Sequence, residues 1–510
     1  MKKTSIVVSS LQVSVVLLLI KVLGVLKQAI VAAVCGATAE ADAYFVASGV
    51  ITALCSVIFS SISISLLSIH TNRLITEGRR SANNLINAVL RIFLPISAAV
   101  SVFFFFCSPL IAKFLAPSYQ GIQLQTLSHY ISVLSIMFVF SCFYLIINVV
   151  LETDKRFLPG KGYGLLQNLF ICIAALLFYP RFGVAALIYA LLFAGFIQCI
   201  QILWNAKNEF HFLRTVQPEK ADIRTLLRLS LPLLVGNAIY EINDIVDKQI
   251  ATSLESGSVS YLSYGASINE IVTTLIISSV STVLISHYAT WVTTGEIAKI
   301  GESLKKSMEY LVILILPVMV MCLVCGDDIV TILYARGNFD SVSVSRTASV
   351  VWGYATGFLF QAARANIVRV YYAFQDTKTP MINGAVSVAV NVVVSVLLSR
   401  IIGVGGIALA TSAAMLLVSA LLLPGIKQFI PGFSFRSSVP ECIKAVLSAI
   451  VVGVSAYFVK ESLPFEAFAS FVIIGIFVVT VYFGLAIVMD ISDVKRVPKA
   501  AIELLKNRHI

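Results

Sequence analysis

The sequence predicts an all-α polytopic membrane protein with about fourteen transmembrane helices. Only 12% of its 510 residues are charged, whereas 58% are hydrophobic, and the mean hydropathy is +0.94. A soluble domain needs roughly twice that share of charged residues to cover its surface. Apolar runs long enough to cross about 30 Å of hydrocarbon recur along the chain. These runs are continuous rather than alternating, which favours helices over a β-barrel, the other structure that satisfies its backbone in lipid.

The apolar runs define the spans in chain order, with short loops between them. The predicted spans are 5–35, 41–69, 84–108, 123–151, 163–180, 183–205, 225–252, 258–289, 306–325, 346–375, 379–400, 403–425, 441–460 and 466–489. The loop 206–224 links two halves of the chain. The first run is longer than a secretory signal peptide and has no clear cleavage site, so we interpret it as the first span.

The net charge of +11 comes from basic residues that are concentrated in alternate loops. With the N-terminus inside, the inside loops and the tail hold Arg73, Arg79, Arg80, Lys155, Arg156, Lys161, Lys207, Arg214, Lys220, Arg224, Lys299, Lys305, Lys306, Lys378, Lys427, Arg436, Lys495, Arg496, Lys499, Lys506 and Arg508. The outside loops hold Lys113, Arg181, Arg336, Arg346, Arg400 and Lys460. This asymmetry predicts a multi-pass protein with an even number of spans and both termini cytoplasmic, and it disfavours nucleic acid as a partner.

Two stretches of the first half recur in the second half at offsets close to 220 residues. SSIS with LLSIH (60–70) recurs as SSVS with VLISH (278–287), and GVAALIYA (183–190) recurs as GVGGIALA (403–410). Six spans separate the copies, which predicts a parallel repeat of two lobes about an axis along the membrane normal. We therefore predict a six-helix N-terminal lobe with a linker (1–224), a six-helix C-terminal lobe (225–430), and two additional helices with a basic tail (431–510). Repeats of this kind bind substrate between the lobes and work by alternating access.

Charged side chains inside the predicted spans are candidate site residues, because each costs roughly 2.5–3.5 kcal/mol at the bilayer centre. Lys21 and Lys27 lie in the first span, with Gly24 between them. We interpret both as lining a hydrated cavity. The alternative is snorkelling to the interface, which suits Lys27 better than Lys21.

The seventh span carries Glu241, Asp244, Asp247 and Lys248. One interpretation is a cation or proton site that couples a gradient to transport. The alternative is an internal Asp244–Lys248 pair, since residues four apart share a helix face. Glu270 in the next span is a further candidate acid.

Arg364 and Arg369 lie in the tenth span, where Arg369 is close enough to the predicted cytoplasmic end to snorkel. Together with the lysines, these cations indicate a cavity for an anionic group such as a phosphate. Asp42 lies at the start of the second span, at its predicted outer end. We interpret it as a gate that pairs with a cation or as a residue that stabilises a helix start.

Cysteine usage does not indicate a metal or redox centre. Cys322 and Cys325 form a CxxC pair with no second pair and no nearby histidine, so we interpret them as small buried residues. No cofactor is expected apart from a coupling cation, Na⁺ or H⁺.

Four stretches resemble the motifs of a known family. They are VLGVLK leading to GA and ADAYFVA (22–47), VDK leading to SL and GSVS (246–260), LYARGNF (333–339) and RVYYAFQDTKTP (369–380). In these stretches the chain resembles the MurJ/MviN-type lipid II flippases of the multidrug/oligosaccharidyl-lipid/polysaccharide exporter superfamily. The likeness extends in order over nearly the whole chain.

The resemblance implies a monomeric flippase of the bacterial cytoplasmic membrane that moves a polyprenyl-pyrophosphate-linked glycan, with lipid II as the first expectation. In such proteins a cationic cavity receives the pyrophosphate while the polyprenyl tail stays among membrane lipids. Lys21 and Lys27 stand where the family has arginines, and Asp42 stands where it has an aspartate. Two arginine-containing motifs of the family are absent, at 53–56 (ALCS) and at 266–267 (AS).

Other functions are compatible with parts of the sequence. The two absent motifs keep open a Wzx-type flippase for another lipid-linked repeat unit and a cation-coupled exporter of small molecules. A scaffold that lost its cavity charges is a further alternative. A glycan polymerase is disfavoured because the outside loops are short, and an ATP-driven pump because the chain has no phosphate-binding GxxxxGK[ST] motif.

Overall fold

The computed structural model describes residues 6–213, 220–462 and 465–491, and all regular secondary structure in these ranges is helical. Within them, eleven helical segments are long and apolar enough to cross a membrane. The predicted class, an all-helical multi-pass membrane protein, is therefore confirmed, whereas the count of fourteen spans stays a prediction. Arg214 and the basic tail from Lys495 onwards lie outside the described residues.

The three predicted spans that are not among the eleven are also helical. They correspond to Lys220–Thr252, to Ser258–Thr293 with its internal irregularity, and to Ser341–Ala373 with a short break. These segments hold most of the charged candidate residues of the sequence, including Asp247 and Arg364. Each charge makes its segment less apolar than its neighbours.

The described residues form two compact units. Unit 1 comprises the residues up to Ser260 together with Arg336–Asp340, and unit 2 comprises Tyr261–Ala335 and the residues from Ser341 onwards. The loop 336–340 thus belongs to unit 1, although the chain on both sides of it belongs to unit 2.

Unit 1 contains eleven α-helices and two π-helical segments among its described residues. The helices are α1 (Ile6–Cys35), α2 (Ala39–Cys55), α3 (Ser61–Thr76), α4 (Arg79–Phe106), α5 (Ser108–Leu115), α6 (Gly121–Leu134), α7 (Met137–Thr153), α8 (Leu158–Ile173), α9 (Tyr179–Phe182), α10 (Ala185–Ala206) and α11 (Lys220–Thr252). The π-helical segments are Ser56–Ser60 and Ala174–Phe178.

The helix α12 begins in unit 1 and continues into unit 2, which contains the rest of the described helices. They are α12 (Ser258–Val272), α13 (Ser279–Thr293), α14 (Ile297–Val324), α15 (Gly326–Tyr334), α16 (Ser341–Ala355), α17 (Phe358–Ala373), α18 (Lys378–Ile402), α19 (Val404–Leu422), α20 (Ile426–Phe429), α21 (Val439–Ser462) and α22 (Ala467–Val488). A π-helical segment, Thr273–Ser278, lies between α12 and α13.

Each unit has its own apolar core. In unit 1, α7 packs against α3, α4 and α10, so Ile146–Leu151 are buried on all sides of the helix. A helix that is apolar on nearly all sides is expected in such a central position, and Asn148 is the one polar residue of this stretch. In unit 2, Val320 of α14 packs with Val452 of α21 and Val478 of α22 in one buried cluster.

Small residues allow helices α16 and α19 of unit 2 to pack closely. A Cβ on Gly353 of α16 would lie 2.7 Å from the carbonyl oxygen of Gly405 and 2.8 Å from Cβ of Ala408, both on α19. The hydroxyl of Ser412 donates to the carbonyl of Gly353 at 2.7 Å. Small and hydroxylated residues commonly bring helices together in membranes, where burial of apolar surface does not drive association.

Candidate functional site

The first candidate lysine lies where α1 packs on α8. Lys21 is half-buried and interacts with other groups. Beside it, the amide of Asn168 donates to the carbonyl of Ile20 at 3.2 Å. Gly164, one turn earlier on α8, faces the Ile20 side chain. The backbone that carries Lys21 is therefore fixed by a polar contact and a close helix crossing.

The second candidate lysine lies further along the same helix pair. Lys27 is half-buried, interacts with other groups and lies near the thiol of Cys172 on α8. Gly24, between the two lysines, faces the amide of Asn168, which would lie 3.5 Å from an added Cβ. The α1 backbone between the two lysines thus packs against one face of α8.

The charged residues of α11 include an ion pair between Asp244 and Lys248, which was one of the two interpretations of their spacing. Nζ of Lys248 donates to Oδ2 of Asp244 at 2.6 Å. The Lys248 side chain is 14% exposed and that of Asp244 is 52% exposed. Asp247 is buried and accepts from the amide of Asn243 at 3.1 Å. Glu241 is half-buried on the same helix.

Lys248 occupies a space that a glycine provides on α2. A Cβ on Gly49 would meet Nζ of Lys248 and would lie 3.3 Å from its Cε and 3.5 Å from its Cδ. The aliphatic stem of the lysine therefore lies directly over the α2 backbone. Gly49 is needed here for space rather than for an unusual backbone conformation.

Asp42 binds the start of α12. It is 2% exposed, and its Oδ2 accepts from the backbone N–H of Gly257 at 2.7 Å. Its Oδ1 accepts from the N–H and from the hydroxyl of Ser260 at 2.7 and 2.6 Å. The partners are therefore free N–H groups at a helix N-terminus, where a carboxylate is favoured by charge and by hydrogen bonding. Asp42 therefore stabilises the start of α12, and it also lies in the first turn of its own helix.

Asn338 also makes hydrogen bonds to the backbone at a helix end, in this case the C-terminal end of α1. Its N–H donates to the carbonyl of Ala33 at 2.8 Å, and its side-chain amide donates to that of Val34 at 2.6 Å. These are carbonyls of the last turn of α1, which has no intrahelical donors for them. Gly36 and Gly337 both adopt left-handed φ angles, 61° and 59°, and each faces the opposing backbone so closely that a Cβ would clash.

Arg364 and Arg369 both lie on α17 and are half-buried. Five residues apart, they differ by about 140° around the helix, so they do not point in one direction. Arg364 interacts with other groups. One turn earlier, the amide of Gln361 donates to Oδ1 of Asn269 at 3.3 Å, beside the exposed Glu270.

The RVYYAFQDTKTP motif forms the turn from α17 to α18. The hydroxyl of the buried Tyr371 donates to the carbonyl of Leu422 at 2.7 Å. Asp376 accepts from the N–H of Thr379 at 3.0 Å. Burial raises the pKa of this carboxyl, but hydrogen bonds from Thr379 and Lys378 and the charge of Lys378 outweigh burial and lower the pKa. The motif is therefore a helix-capping turn in this structure.

Basic residues of two predicted inside loops of unit 1 have acidic partners. Arg79 donates two hydrogen bonds to Asp154, at 2.7 and 2.9 Å. Arg73 pairs with Asp222 of α11 at 2.8 Å, and Arg156 pairs with Glu209 at 2.9 Å. These pairs tie the loop ends of unit 1 together.

Sequence reasoning missed Asn338 and Asn168 as site residues. The LYARGNF motif signalled that the loop matters but not which helix it contacts. Asn168 carried no signal, since a lone amide in an apolar run is compatible with many helix contacts. Of the predicted residues, the structure brings Asp244 and Lys248 together, and it places Asp42 on the backbone of α12.

The fold matches those of solved multi-pass α-helical transporters. A solved structure described as a lipid II flippase MurJ in an inward closed conformation matches 94% of this chain and 99% of its own, with a TM-score of 0.82 and 21% identity. An inward-facing multidrug resistance MATE family transporter of the MOP superfamily matches 80% of this chain and 94% of its own, with a TM-score of 0.68 and 13% identity.

The sequence comparisons give the family. The family model described as "Lipid II flippase MurJ" matches residues 31–478. A probable lipid II flippase MurJ of Treponema pallidum is 24% identical over 87% of this chain and 85% of its own length. One of Bdellovibrio bacteriovorus is 26% identical over 62% of this chain, and the match spans 61% of that relative's length. The chain belongs to the lipid II flippase MurJ family, whose members are transporters and not enzymes.

Proposed function

We propose that this protein moves lipid II, a polyprenyl-pyrophosphate-linked precursor, across the cytoplasmic membrane for peptidoglycan synthesis. The observation that carries the proposal is the family match over residues 31–478, on a chain whose apolar helices recur along its length. The two named relatives carry the same description, and the fold agrees.

Lys21, Lys27, Arg364 and Arg369 are the proposed ligands of the pyrophosphate. A pyrophosphate carries several negative charges that an apolar span cannot solvate, so cations must replace its water. The fixation of the α1 backbone by Asn168 supports this role, because a preorganised site loses less entropy on binding.

Fourteen spans in two parallel repeats are the proposed topology. Equivalent backbone features at matching offsets support the repeat. Left-handed residues occur at Gly78 and Gly295, at Lys155 and Gln375, and at Gly183 and Gly403. The side chain of Cys199 donates to the carbonyl of Phe140, and 220 residues later that of Ser419 donates to the carbonyl of Phe360.

Asp42 is the proposed outer gate residue, and Asn338 is proposed to act with it. Each residue hydrogen-bonds a helix end: Asp42 binds the start of α12, and Asn338 binds the end of α1. A rigid-body movement of the residue relative to the helix that it binds would break these bonds. The residues that Asp42 binds lead directly into α12, and Asn338 lies in the loop between α15 and α16. Alternating access requires such contacts to form in one state and to open in the other.

A coupling cation, Na⁺ or H⁺, is proposed to act through α11 and α12. The candidates are Glu241, Asp244, Asp247, Lys248 and Glu270. Burial of Asp247 supports its inclusion, since burial disfavours a bare negative charge and so favours binding of a proton or a cation. We further propose that the protein is a monomer with both termini cytoplasmic, in contact with membrane lipids and with no nucleic acid partner.

A Wzx-type flippase for another lipid-linked repeat unit is the second candidate. It is favoured by lysines in place of arginines in α1 and by the two missing arginine motifs. Arginine binds phosphate with two parallel hydrogen bonds, whereas lysine acts as a point charge. A cation-coupled small-molecule exporter is the third candidate, and the MATE-like fold supports it.

The test is to deplete the protein in cells and to identify which lipid-linked intermediate accumulates facing the cytoplasm. Lipid II is the expected species, and restored expression should remove it. Accumulation of a different lipid-linked repeat unit would instead support the second candidate. No accumulation of either intermediate would contradict both.

A further inference from the structure

Unit 2 contains an open groove between α13 and α14, beside the turn that joins these two helices. Its volume is about 560 Å³, within the range of about 300–1,000 Å³ that is usual for ligand pockets. Its lining includes Leu284 and Trp291 of α13 and, from α14, Lys299, Glu302, Ser303 and Lys306. None of the described residues that line the groove belongs to the proposed substrate, gating or coupling residues.

The groove lies at the depth of lipid headgroups. The helix α14 has 28 residues and is therefore about 42 Å long, whereas the hydrocarbon core of a bilayer is about 30 Å thick. Residues 310–326 hold no charged side chain, so the later turns of α14 lie in the hydrocarbon. The first turns, with Lys299 and Glu302, extend into the headgroup layer, on the side that the loop charges predict to be cytoplasmic.

Two aromatic residues of the groove are also typical of a membrane interface. Trp291 is half-buried, and the centroid of its ring lies 6.1 Å from that of Tyr288. Tyr310 lines the groove from α14 and is 37% exposed. The turn after Trp291 is fixed, because Gly295 adopts a left-handed φ of 76° and the N–H of Glu296 donates to the carbonyl of Trp291 at 2.8 Å. The groove therefore has a preformed wall at headgroup depth.

Charges of alternating sign follow one face of α14. Lys299, Glu302 and Lys306 are spaced i, i+3 and i+7, and their side chains are 58%, 67% and 49% exposed. Lys306 pairs with Glu302 at 2.8 Å, and Lys299 pairs with Glu296. Exposed pairs of this kind contribute only about 0–1 kcal/mol, so a ligand that carries both charges can replace them at little cost.

We propose that this groove binds the headgroup of a zwitterionic aminophospholipid, a phosphate diester with a primary ammonium group, as in phosphatidylethanolamine. Lys299 and Lys306 donate to the phosphate, for which a lysine offers a point charge. Glu302, which lies between the two lysines on the same face, accepts from the ammonium group. An acyl chain follows the apolar side chain of Leu284.

The charge pattern of the groove discriminates between headgroups. An anionic headgroup such as that of phosphatidylglycerol brings no cation for Glu302, and its phosphate is repelled by this carboxylate. A choline headgroup carries a positive charge but no N–H, so it cannot donate a charge-assisted hydrogen bond to Glu302. A soluble phosphate ester lacks the acyl chains that hold a ligand at this depth.

The experiment measures thermal unfolding of the purified full-length protein in detergent, without any lipid-linked substrate. Phosphatidylethanolamine, its N,N-dimethyl derivative, phosphatidylcholine and phosphatidylglycerol, all with the same acyl chains, are added at equal concentration. Phosphatidylethanolamine should raise the apparent Tm by about 1–3 °C more than phosphatidylcholine, because a ligand of the folded state stabilises it. The dimethyl lipid should give an intermediate rise, and phosphatidylglycerol a smaller rise than phosphatidylethanolamine.

Variants then locate the bound headgroup. Glu302→Gln should abolish the excess rise with phosphatidylethanolamine over phosphatidylcholine, while its Tm without added lipid stays that of the wild type because the side chain is exposed. Lys299→Gln combined with Lys306→Gln should reduce the rise with both lipids. Glu466→Gln at the start of α22 and Lys427→Gln in α20 change exposed residues outside the groove lining. These two variants are the matched controls and should keep the full excess.

An equal rise with phosphatidylethanolamine and phosphatidylcholine in the wild type would overturn the proposal. A larger rise with phosphatidylglycerol, or a full excess in Glu302→Gln, would overturn it as well. Because no lipid-linked substrate is present, each of these results would leave the lipid II proposal untouched. Conversely, a headgroup preference that depends on Glu302 would stand even if the accumulating intermediate were another glycan.

Discussion

At Asp42 a single carboxylate accepts three hydrogen bonds, one from Gly257 just before α12 and two from Ser260 in its first turn. In Asp42→Asn, one oxygen becomes an NH₂ group that faces a backbone N–H, so at least one bond is replaced by donor–donor repulsion. Hydrogen bonds to charged groups contribute about 1.5–3 kcal/mol each. We expect a lower apparent Tm and loss of complementation in a depleted strain.

Glu40→Gln is the matched control for this change. Glu40 lies in the same first turn of α2 but is exposed, so its loss of charge should leave both readouts close to wild type. Full complementation by Asp42→Asn, together with an unchanged Tm, would show that the bonds to α12 are dispensable.

Gly49 and Lys248 give a second prediction at this scale. Gly49→Ala places a methyl group on the lysine stem, and the helix contact must widen or the lysine must leave. We expect a loss of about 1–3 kcal/mol of stability from such overpacking, measured as a fall in apparent Tm. Lys248→Ala combined with Gly49→Ala should restore most of it.

Gly236→Ala controls for the change of residue type. Nothing lies within 4 Å of a Cβ at Gly236 in α11, so alanine should be neutral or stabilising by roughly 0.5–1 kcal/mol through helix propensity. If Gly49→Ala and Gly236→Ala changed the apparent Tm by the same small amount, the lysine stem would not restrict the space at Gly49.

Among the elements, the loop Arg336–Asp340 makes the most specific connection, since it caps the last turn of α1. Gly337→Ala should disrupt it for two reasons: the left-handed φ of 59° and a clash with the carbonyl of Ala33. We expect failure of complementation. Gly432→Ala shares a positive φ, 76°, but has nothing within 4 Å, so it should show strain alone and retain function.

The Asn338→Ala variant separates the side-chain bond of this cap from backbone strain. It removes the hydrogen bond to the carbonyl of Val34 and leaves the backbone of the loop unstrained. It should therefore weaken transport less than Gly337→Ala. If Gly337→Ala and Gly432→Ala complemented equally well, the cap on α1 would have no role in transport.

Helices of this chain could be predicted well where their sequence is apolar and continuous. The predicted span 441–460 corresponds to Val439–Ser462, and 466–489 corresponds to Ala467–Val488. Breaks were missed, because a π-helical segment such as Thr273–Ser278 leaves the apolar pattern unchanged. The predicted span 258–289 is therefore two α-helices joined by that segment.

The site was less predictable, because its contacts join residues distant in sequence. Asp42 was found as a charge in an apolar run, but its partners lie more than 200 residues away. Asn338 and Val34 are separated by 304 residues. A single sequence supplies residue types and periodicity but not these pairings.

For the whole molecule, the charge asymmetry of the loops predicts the topology. Reporter fusions after residue 208 and at the C-terminus should report cytoplasmic locations, and a fusion after residue 118 should report an outside location. The proposed even number of spans requires the first two to agree. A C-terminal reporter on the outside would contradict the fourteen spans.

The cations of α1 and α17 test whether the molecule transports an anionic lipid at all. Lys21→Gln and Arg364→Gln each remove one charge that the proposed site offers to the pyrophosphate. A charge-assisted contact of about 1.4 kcal/mol corresponds to a tenfold change in affinity. We therefore expect each variant to lower lipid II flipping in proteoliposomes by about tenfold or more. Lys21→Arg should retain activity, because a guanidinium keeps the charge and binds phosphate with two bonds.

The matched control is Lys113→Gln, which removes a lysine that donates to the carbonyl of Pro117 in a loop segment. It should flip at the wild-type rate. If Lys21→Gln, Arg364→Gln and the control all retained wild-type flipping, the cations would serve only structure. If the wild type itself failed to move lipid II but moved another lipid-linked glycan with the same dependence on Lys21 and Arg364, the cationic site would stand and the substrate would change. The charge requirement follows from the pyrophosphate, whereas the choice of glycan depends on groups beyond it.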